Sequence, residues 1–514
     1  MTNSENKRLA LNTGILYIKL ILSIFIGLYT SRVILQVLGA SDYGLYTIVG
    51  GIVSMMNFFG TTMVSVTYRH IVVEFGKGKE GNPNKIFNTV MVIHIGLVLF
   101  LVTLGETLGI YYIKNIANID SSKINDAIFV LHMSMLATSL NILSIPYNGL
   151  IIAREKFIFT AIVEIGRSIL QLILVITLTY YLGNRLRAYS TIVTLYSALL
   201  PICLFIYCRI KDKDIIRWSF NKKRTDYIQI LQYAFWIMLG AVASIGQNQG
   251  SNMIINLFFN TIINAAFGIG FQINNYVMMF VQSLNQAAVP QIMKNQGGNK
   301  NARSLAIVYN ISKYAFFIML IPTIPLILNI DIVLKLWLNK APTYTNIFAI
   351  LLLIGGLIKC MGVGFDSYIQ ATGKIRTYQI FYSCAYLLVL PVSYFFYNIG
   401  APAYTIIICT IAAVISILVF QLIYLSKIST FKIKEYIKHT TKPCLLVTFF
   451  SSPLIILKML WSDNIYGFLG FSIMAIIWII AMIGIFGLNK EEKSKIYSLI
   501  NKKIKRCKLP KLAY

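Results

Sequence analysis

The sequence predicts an all-α membrane protein that crosses the bilayer about fourteen times. Its composition is the first reason, since 57% of the 514 residues are hydrophobic and only 12% are charged. A soluble chain carries about 25% charged residues. The second reason is that apolar runs of about twenty residues, the length that spans a bilayer as a helix, recur along the chain. Short loops separate them, so no soluble domain is expected.

The predicted helices follow one another closely as far as residue 488. Their approximate ranges are 11–38, 42–66, 86–112, 124–152, 157–182, 188–209, 227–258, 261–290, 306–330, 345–371, 376–399, 402–425, 441–460 and 465–488. The first apolar run follows Lys7 and Arg8. It is longer than the ~7–15 apolar residues of a secretory signal, so we expect it to remain as a transmembrane helix.

Charge predicts the orientation of these helices. Most of the 46 basic residues fall in short loops or in the C-terminal tail. With the N-terminus in the cytoplasm only seven of the 46 lie in external loops, as the positive-inside rule requires. An even number of helices then places both termini in the cytoplasm. Basic loops of this kind meet anionic lipid headgroups, so the net charge of +28 does not indicate nucleic-acid binding.

A weak internal repeat predicts the domain organisation. PYNGLIIAREKF at 146–157 aligns with GFDSYIQATGKI at 364–375, an offset of 218, and FGKGK at 75–79 aligns with NQGGN at 295–299, an offset of 220. A nearly constant offset across six helices predicts two six-helix lobes related by a parallel pseudo-twofold axis. The predicted domains are an N-lobe at 1–210, a cytoplasmic linker at 211–226, a C-lobe at 227–426, two further helices at 427–489 and a basic cytoplasmic tail at 490–514.

The helix predicted over 345–371 carries charge at membrane depth. Lys359, Gly362, Asp366 and Gln370 are spaced to share one helical face. A charge in the bilayer costs a few kcal/mol or more, so such residues usually face a bundle interior or a wet cavity. Lys359 and Asp366 are two turns apart, roughly 10 Å along the axis, and are not expected to neutralise each other directly.

Two other predicted helices also carry charged side chains. Lys19 and Arg32 interrupt the first helix, and either could extend to the interface instead of a cavity. Glu164, Arg167 and Gln171 share a face of the helix over 157–182. A local Glu164–Arg167 pair of purely structural value is the alternative for that face.

Amides accumulate on the two helices predicted over 227–258 and 261–290. Such side chains often join neighbouring helices through hydrogen bonds. Their number on adjacent helices favours a wet, hydrogen-bonding wall: Gln247, Asn248, Gln249, Asn252 and Asn256 on the first, and Gln272, Asn274, Asn275, Gln282, Asn285 and Gln286 on the second.

Motifs of enzymes and of cofactor binding are absent from the sequence. There is no GxxxxGK[ST] loop, the four histidines have no metal-ligand spacing, and no CxxC pair occurs among seven cysteines. We therefore expect no ATP hydrolysis, no metal, no cofactor and no disulfide. A mildly cationic cavity rich in amides suits sugar hydroxyls together with phosphate or pyrophosphate.

Three segments carry a resemblance to a known family. They are RVILQVLGASDYGLY at 32–46, in which Val33 and Ile34 precede Leu35, NGLIIAREKF at 148–157 and QATGK at 370–374. In these segments the chain resembles bacterial polysaccharide repeat-unit flippases (O-antigen or capsule, Wzx-type) of the MATE-like MOP superfamily. The resemblance implies a MATE-like fold and the flipping of undecaprenyl-pyrophosphate-linked oligosaccharide across the bacterial cytoplasmic membrane by alternating access. It also implies cations in a central cavity.

The expected site combines the resemblance with the polar residues above. Arg32, Arg167 and Lys359 would attract pyrophosphate or acidic sugars, and Glu164 and Asp366 would orient them or carry a coupling proton. Amides such as Gln247, Asn248, Gln272 and Asn275 would bind sugar hydroxyls. The expected partners are the lipid-linked oligosaccharide, membrane lipids, and a polysaccharide polymerase with its chain-length machinery. A monomer suffices, because one chain holds both halves.

Three other functions stay open at this point. A MATE-like cation-coupled exporter of small molecules would rely on acidic membrane residues. A membrane enzyme of glycan assembly is disfavoured by the short external loops. A lipid scramblase without coupling fits as well, because no residue identifies an energy source.

Overall fold

The protein is described by a computed structural model that is helical throughout the part it describes. The structure describes residues 62–494 except 116–118, 260, 339–341, 463 and 491, together with scattered positions between 14 and 60, all of them helical. No strand occurs among these residues. Arg32, most of the first two predicted helices and the tail from residue 495 onward lie outside the described residues.

The main helices can be labelled in chain order. They are α1 (62–76), α2 (Pro83–Asn115), α3 (Ile124–Ala153), α4 (Phe157–Thr177), α5 (Arg185–Lys211), α6 (Arg224–Phe258), α7 (Thr261–Gly297), α8 (Asn301–Leu328), α9 (Ile330–Leu338), α10 (Thr345–Cys360), α11 (Val363–Thr372), α12 (Arg376–Asn398), α13 (Thr405–Ile428), α14 (Ile433–Met459) and α15 (Ile465–Gly487).

The number of membrane-spanning helices agrees with the predicted fold class. Within the described residues ten helices are long and apolar enough to cross a membrane, and the bent pair α10–α11 raises the number to eleven. Helix α7 is not among them, although it is 37 residues long, because its amides lower its hydropathy. The described part therefore agrees roughly with the expected fourteen, and the first predicted helix and most of the second lie outside it.

The chain divides into two compact units that differ from the predicted domains. Unit 1 contains Met1–Val242, Gln286–Ser304 and Ser367–Ile380, and unit 2 contains the remainder. Unit 1 therefore includes the last residues of α7 and of α11, both from the second half of the sequence. The lobe boundaries proposed from the repeat stay a prediction.

Each unit has its own apolar core, and large apolar side chains also cover its outer surface. In unit 1, α2 and α3 bury Leu101, Val130 and Leu131. In unit 2, α7 and α10 bury Phe267 and Phe348. The outer face of α4 exposes a row of isoleucines, at 158, 162, 169, 173 and 176. Exposed apolar rows are unfavourable in water and favourable against lipid tails, as expected for a membrane protein.

Two structural pairs support the predicted repeat. The C-terminal ends of α1 and α7 cross at Gly76 and Gly297. A Cβ atom on Gly76 would overlap the Lys294 carbonyl, and one on Gly297 would overlap the Val73 carbonyl. The two contacts exchange under an offset of 221 residues, one more than the sequence alignment gave. This reciprocity is what a twofold relation produces where its two copies meet.

The second pair follows the motif segments at 146–157 and 364–375. Glu155 has a φ of 55° and Gly373 a φ of 77°, and the two positions are equivalent at an offset of 218. Each of these residues lies just after the end of its helix and has a left-handed backbone conformation, as is common at helix C-termini. The repeat therefore extends to the backbone conformation, although one copy uses glycine and the other glutamate.

Helices α10 and α11 form a broken span instead of one straight helix. They meet at an angle of 43° across residues 361–362. The Tyr436 hydroxyl donates a hydrogen bond of 2.7 Å to the Met361 carbonyl at this break. The bend means that Lys359 and Gln370 do not share one continuous face, and Gln370 belongs to unit 1 whereas Lys359 belongs to unit 2.

Candidate functional site

A polar cavity lies inside unit 2, among α6, α7, α10, α12 and α13. Its volume is about 220 Å³. Four of the residues singled out in the sequence line it: Gln247, Asn248, Asn275 and Lys359. The amides come from α6 and α7 and the lysine from α10, so the cavity joins residues that are up to 112 positions apart in the sequence, from Gln247 to Lys359.

The cavity wall contains both satisfied and unsatisfied amides. Gln247 is buried and donates to the Ser251 hydroxyl at 3.0 Å and to the Thr410 hydroxyl at 3.1 Å. The Asn274 carbonyl oxygen is buried with no hydrogen-bond partner. A second group of amides in the wall has side chains that bond to none of the described residues: Asn248, Asn275 and Gln282. Buried polar groups are nearly always paired, so the side-chain oxygen of Asn274 needs water or a ligand, whereas Asn248 is half-buried and Asn275 and Gln282 are exposed.

Lys359 supplies the only charge in the wall of this cavity among the described residues. Its side chain is exposed and lines the cavity. No ion pair joins it to any described residue. It lies within electrostatic range of Tyr386 and of the Asp366 carboxylate. The ammonium is therefore available to an anion inside the protein.

Asp366 lies in the same unit but does not line the cavity. Its carboxylate accepts a hydrogen bond of 2.8 Å from the Gln421 side chain. Gln272 is also outside the wall, and its amide donates to the Tyr276 hydroxyl at 2.9 Å. Both residues were candidates from the sequence, and the structure places them beside the cavity lining and not in it.

The charged face of α4 lies in unit 1. Glu164 forms an ion pair with Lys19, so the local Glu164–Arg167 pair considered above is not the pair that forms. Tyr68 is within electrostatic range of Glu164. Arg167 lies on the helix face opposite the exposed isoleucines, near Tyr196, and has no ion pair among the described residues.

The ends of α1, α6 and α11 meet in unit 1 through a set of hydrogen bonds. The Ser65 hydroxyl donates to the Gln370 side-chain carbonyl at 2.8 Å. The Gln370 backbone carbonyl accepts from Arg69 Nε at 3.0 Å and from the Tyr233 hydroxyl at 3.2 Å. The Arg69 guanidinium also lies 4.8 Å from the centre of the Tyr233 ring. This contact links residues about 300 positions apart.

His70 lies next to this contact in α1, four residues after the end of the helix predicted over 42–66. Burial, together with the positive charge of Arg69, lowers the pKa of His70 to about 3. Its ring accepts from Arg69 at 3.1 Å and donates to the Val66 carbonyl at 2.8 Å, an arrangement that fits a neutral imidazole. His70 is therefore not a pH sensor between pH 5 and 8.

Sequence reasoning missed a buried ion pair in unit 2. Lys313 in α8 is 1% exposed and bonds both Glu492 carboxylate oxygens at 2.7 Å. The Tyr314 hydroxyl donates to the same carboxylate at 2.8 Å. Burial raises the pKa of Glu492, but hydrogen bonds from Lys313, the Asn489 amide and Tyr314 outweigh it and leave the pKa below its ordinary value.

Hydroxyl groups of the cavity wall were missed as well. Ser244, Tyr386 and Thr410 line it. Such residues are common in membrane helices, so no sequence signal separates them. No group of three or more His, Cys, Asp or Glu side chains suitable for a metal ion occurs in the part of the chain that the structure describes.

Comparison with known proteins identifies the fold. A multidrug resistance MATE family transporter of the MOP superfamily, in an outward-facing conformation, matches with a TM-score of 0.69 at 13% identity, covering 82% of this chain and 95% of that one. A MATE protein in the bent conformation matches with a TM-score of 0.70 at 14% identity, covering 82% and 96%.

A third solved structure is a MOP superfamily transporter from Pyrococcus furiosus, for which a binding pocket of reversed polarity and a different function are described. It matches with a TM-score of 0.66 at 13% identity, covering 82% of this chain and 96% of that one. No family model and no curated protein matches the sequence. At these identities the likeness shows a MATE-like fold, and the substrate must be argued from the site.

Proposed function

We propose that this chain flips a polyprenyl-pyrophosphate-linked oligosaccharide across a bacterial cytoplasmic membrane by alternating access. The observation that carries the proposal is the cavity in unit 2, in which the ammonium of Lys359 forms no ion pair with a described residue and stands among amides, several of which make no side-chain hydrogen bond to one. An ammonium attracts a phosphate group as a point charge, and amides pair with hydroxyl groups as both donors and acceptors. A lipid-linked sugar presents both groups.

The size of the cavity limits which part of such a substrate it holds. Its volume of about 220 Å³ is below the 300–1,000 Å³ typical of drug-sized ligands. We propose that it receives a phosphate or one sugar ring while the polyprenyl chain stays in the bilayer. The remaining sugars would meet other surfaces, including Arg167 on α4, Gln272 on α7, and Arg32.

The two carboxylates have proposed supporting roles. Glu164 is neutralised by Lys19 and would orient the α4 face or carry a coupling proton when that pair opens. Asp366 accepts a hydrogen bond from Gln421 and lies within electrostatic range of Lys359. It would therefore adjust how strongly the Lys359 ammonium attracts an anion. The proposed partners are the lipid-linked oligosaccharide, membrane lipids, and a polymerase with its chain-length machinery. Both termini would be cytoplasmic, and the chain would act as a monomer.

A MATE-like exporter of small molecules is the second candidate. The likeness to a multidrug resistance MATE transporter favours it. The lining of the cavity argues against a cationic drug, because among the described residues Lys359 is its only charge and no carboxylate lines it. The reversed pocket polarity described for the Pyrococcus furiosus protein is a precedent for a difference in pocket polarity among proteins of similar fold.

The test is complementation of a strain that lacks the gene. Lys359→Ala should reduce surface polysaccharide at least tenfold and trap lipid-linked units on the cytoplasmic leaflet, because a charge-assisted contact worth about 1.5–3 kcal/mol is lost. Lys359→Arg should retain part of the activity, and Lys427→Ala, at the exposed end of α13, should retain all of it. Normal polysaccharide with Lys359→Ala at normal expression, or a deletion that alters only sensitivity to cationic compounds, would contradict the proposal.

A further inference from the structure

A second cavity lies in unit 1, apart from the one described above. Its volume is about 200 Å³, and it lies where α7 ends and α8 begins, at the end of these helices that is predicted to face the cytoplasm. Gly76 and Glu155 from the first half of the sequence line it, together with residues 291–303 from the second half. Both sequence halves therefore contribute to its wall.

Three cations give this cavity its charge. Lys294, Lys300 and Arg303 line it, and Glu155 is the one carboxylate in the lining among the described residues. Lys294 and Lys300 form no ion pair with any described residue. Like charges gathered at one concave site repel one another unless an anion compensates them, and here a single carboxylate faces three cations.

A buried amide provides an independent observation. Gln291 is only 7% exposed, lines the cavity, and bonds to none of the described residues through its side chain. An amide buried to this degree nearly always has a partner. Asn295, one turn further along α7, also lines the cavity without a side-chain hydrogen bond in the described part of the chain. These two donors and the lysines define a site for an oxyanion.

The backbone at Glu155 also marks this site. Glu155 holds a left-handed conformation, with a φ of 55°, where its repeat equivalent is Gly373. Backbone strain in a residue other than glycine persists only where the surrounding structure maintains it, and it clusters at functional sites. This backbone conformation belongs to a carboxylate-bearing residue in the lining of a cationic cavity.

We infer that this cavity binds a phosphate group, either the headgroup of an anionic lipid or a soluble phosphate. Lys294 and Lys300 hold its negative charge, and Gln291 and Asn295 donate to its remaining oxygens. The bound group bridges the ends of the two sequence halves and stabilises the contact between them. This site is separate from the proposed transport cavity, and its existence does not depend on that function.

The test uses the purified full-length protein in a neutral detergent. Thermal unfolding is followed with sodium phosphate against sodium chloride at equal ionic strength, and with dioleoylphosphatidylglycerol against dioleoylglycerol, which lacks phosphate. Stabilisation by phosphate alone identifies a soluble ligand, and stabilisation by phosphatidylglycerol alone identifies a lipid headgroup. If neither stabilises the protein more than its control does, the inference is overturned.

Variants assign the effect to this cavity. Lys294→Gln combined with Lys300→Gln should weaken binding about tenfold or more, because charge-assisted contacts to phosphate are lost. Glu155→Gln should tighten binding severalfold by removing a negative charge. Lys213→Gln combined with Lys222→Gln, which removes two exposed lysines elsewhere, should change binding less than twofold.

A folding control keeps the experiment decisive. Lys294→Arg combined with Lys300→Arg preserves both charges and should bind phosphate within a few-fold of the original protein. If the glutamine pair elutes as a single species in size exclusion and binds as tightly as the original protein, the site is not this cavity and the inference fails.

Discussion

Lys313 shows how one residue can be both unfavourable and necessary in a membrane helix. Its ammonium is almost fully buried in α8 and is compensated by Glu492, which lies beyond the end of α15. Taking two charges out of water offsets most of their attraction, so such a pair adds little net stability. Removing one partner is costly, however, because the other charge stays buried and uncompensated.

Glu492→Gln should therefore destabilise the protein by about 3–5 kcal/mol at neutral pH. The lowered pKa of Glu492 fixes the pH dependence. Because the carboxyl is a stronger acid in the folded state, its contribution is present above the unfolded pKa, near 4.3, and is lost as the pH falls through the lower folded value.

Thermal unfolding of the two proteins in detergent at pH 7 and below pH 4 measures this difference. The gap between their midpoints should shrink at the lower pH. Combining Glu492→Gln with Lys313→Met should restore much of the lost stability, since no buried charge remains. An equal gap at both pH values would show that the ion pair is not the cause.

The candidate site was predictable only where a residue type was unusual for its surroundings. A lysine and clustered amides are exceptional in apolar helices, so Lys359, Gln247, Asn248 and Asn275 stood out. Tyr386 and Thr410 did not, because hydroxyl side chains are ordinary there. Glu492 could not be assigned as the partner of Lys313, because 179 residues separate them and no local pattern links them.

At the scale of helices, close crossings depend on single glycines. The ends of α1 and α7 approach so closely that Gly76 and Gly297 each contact a backbone carbonyl of the other helix. The sequence predicted these helices only as far as about residues 66 and 290, so the crossing lies beyond both predicted ends. Helix periodicity could not predict the bend at residues 361–362 either. Crossings and bends are set by packing against distant neighbours, which one sequence does not display.

Gly76→Ala and Gly297→Ala should each destabilise the protein by about 1–3 kcal/mol, because an added methyl group forces the two backbones apart. The two effects should be similar in size, since the repeat makes the contacts equivalent. They should not add in the double variant, because the first substitution already opens the shared crossing.

The matched control is Gly268→Ala in the same helix α7, where a Cβ meets no atom within 4 Å. It should leave stability unchanged or raise it by up to about 1 kcal/mol through helix propensity. Thermal unfolding midpoints in detergent supply the comparison. A Gly76→Ala protein as stable as the Gly268→Ala protein would contradict the close crossing.

At the scale of the whole molecule, unit 1 joins helix ends from both halves of the sequence. Arg69 and Ser65 from α1 hold Gln370 from α11, and Gly76 meets the end of α7. Transport by alternating access requires the access path to change from one side of the membrane to the other. Under the proposed function, these contacts between halves must therefore break and re-form in each cycle.

A reversible cross-link between Ser65→Cys and Gln370→Cys tests this requirement. The two side chains are in hydrogen-bond contact at 2.8 Å, so a short bifunctional methanethiosulfonate should join them in a background without the seven native cysteines. Flipping of lipid-linked sugar in vesicles should then stop, and a thiol reductant should restore it. The control links Asp126→Cys to Arg187→Cys, whose native side chains are in contact at 2.6 Å between α3 and α5 within the first half, and should leave flipping unchanged. Full activity with the Ser65–Gln370 link in place would mean that substrate crosses without separation of these ends, as in a scramblase with a fixed path.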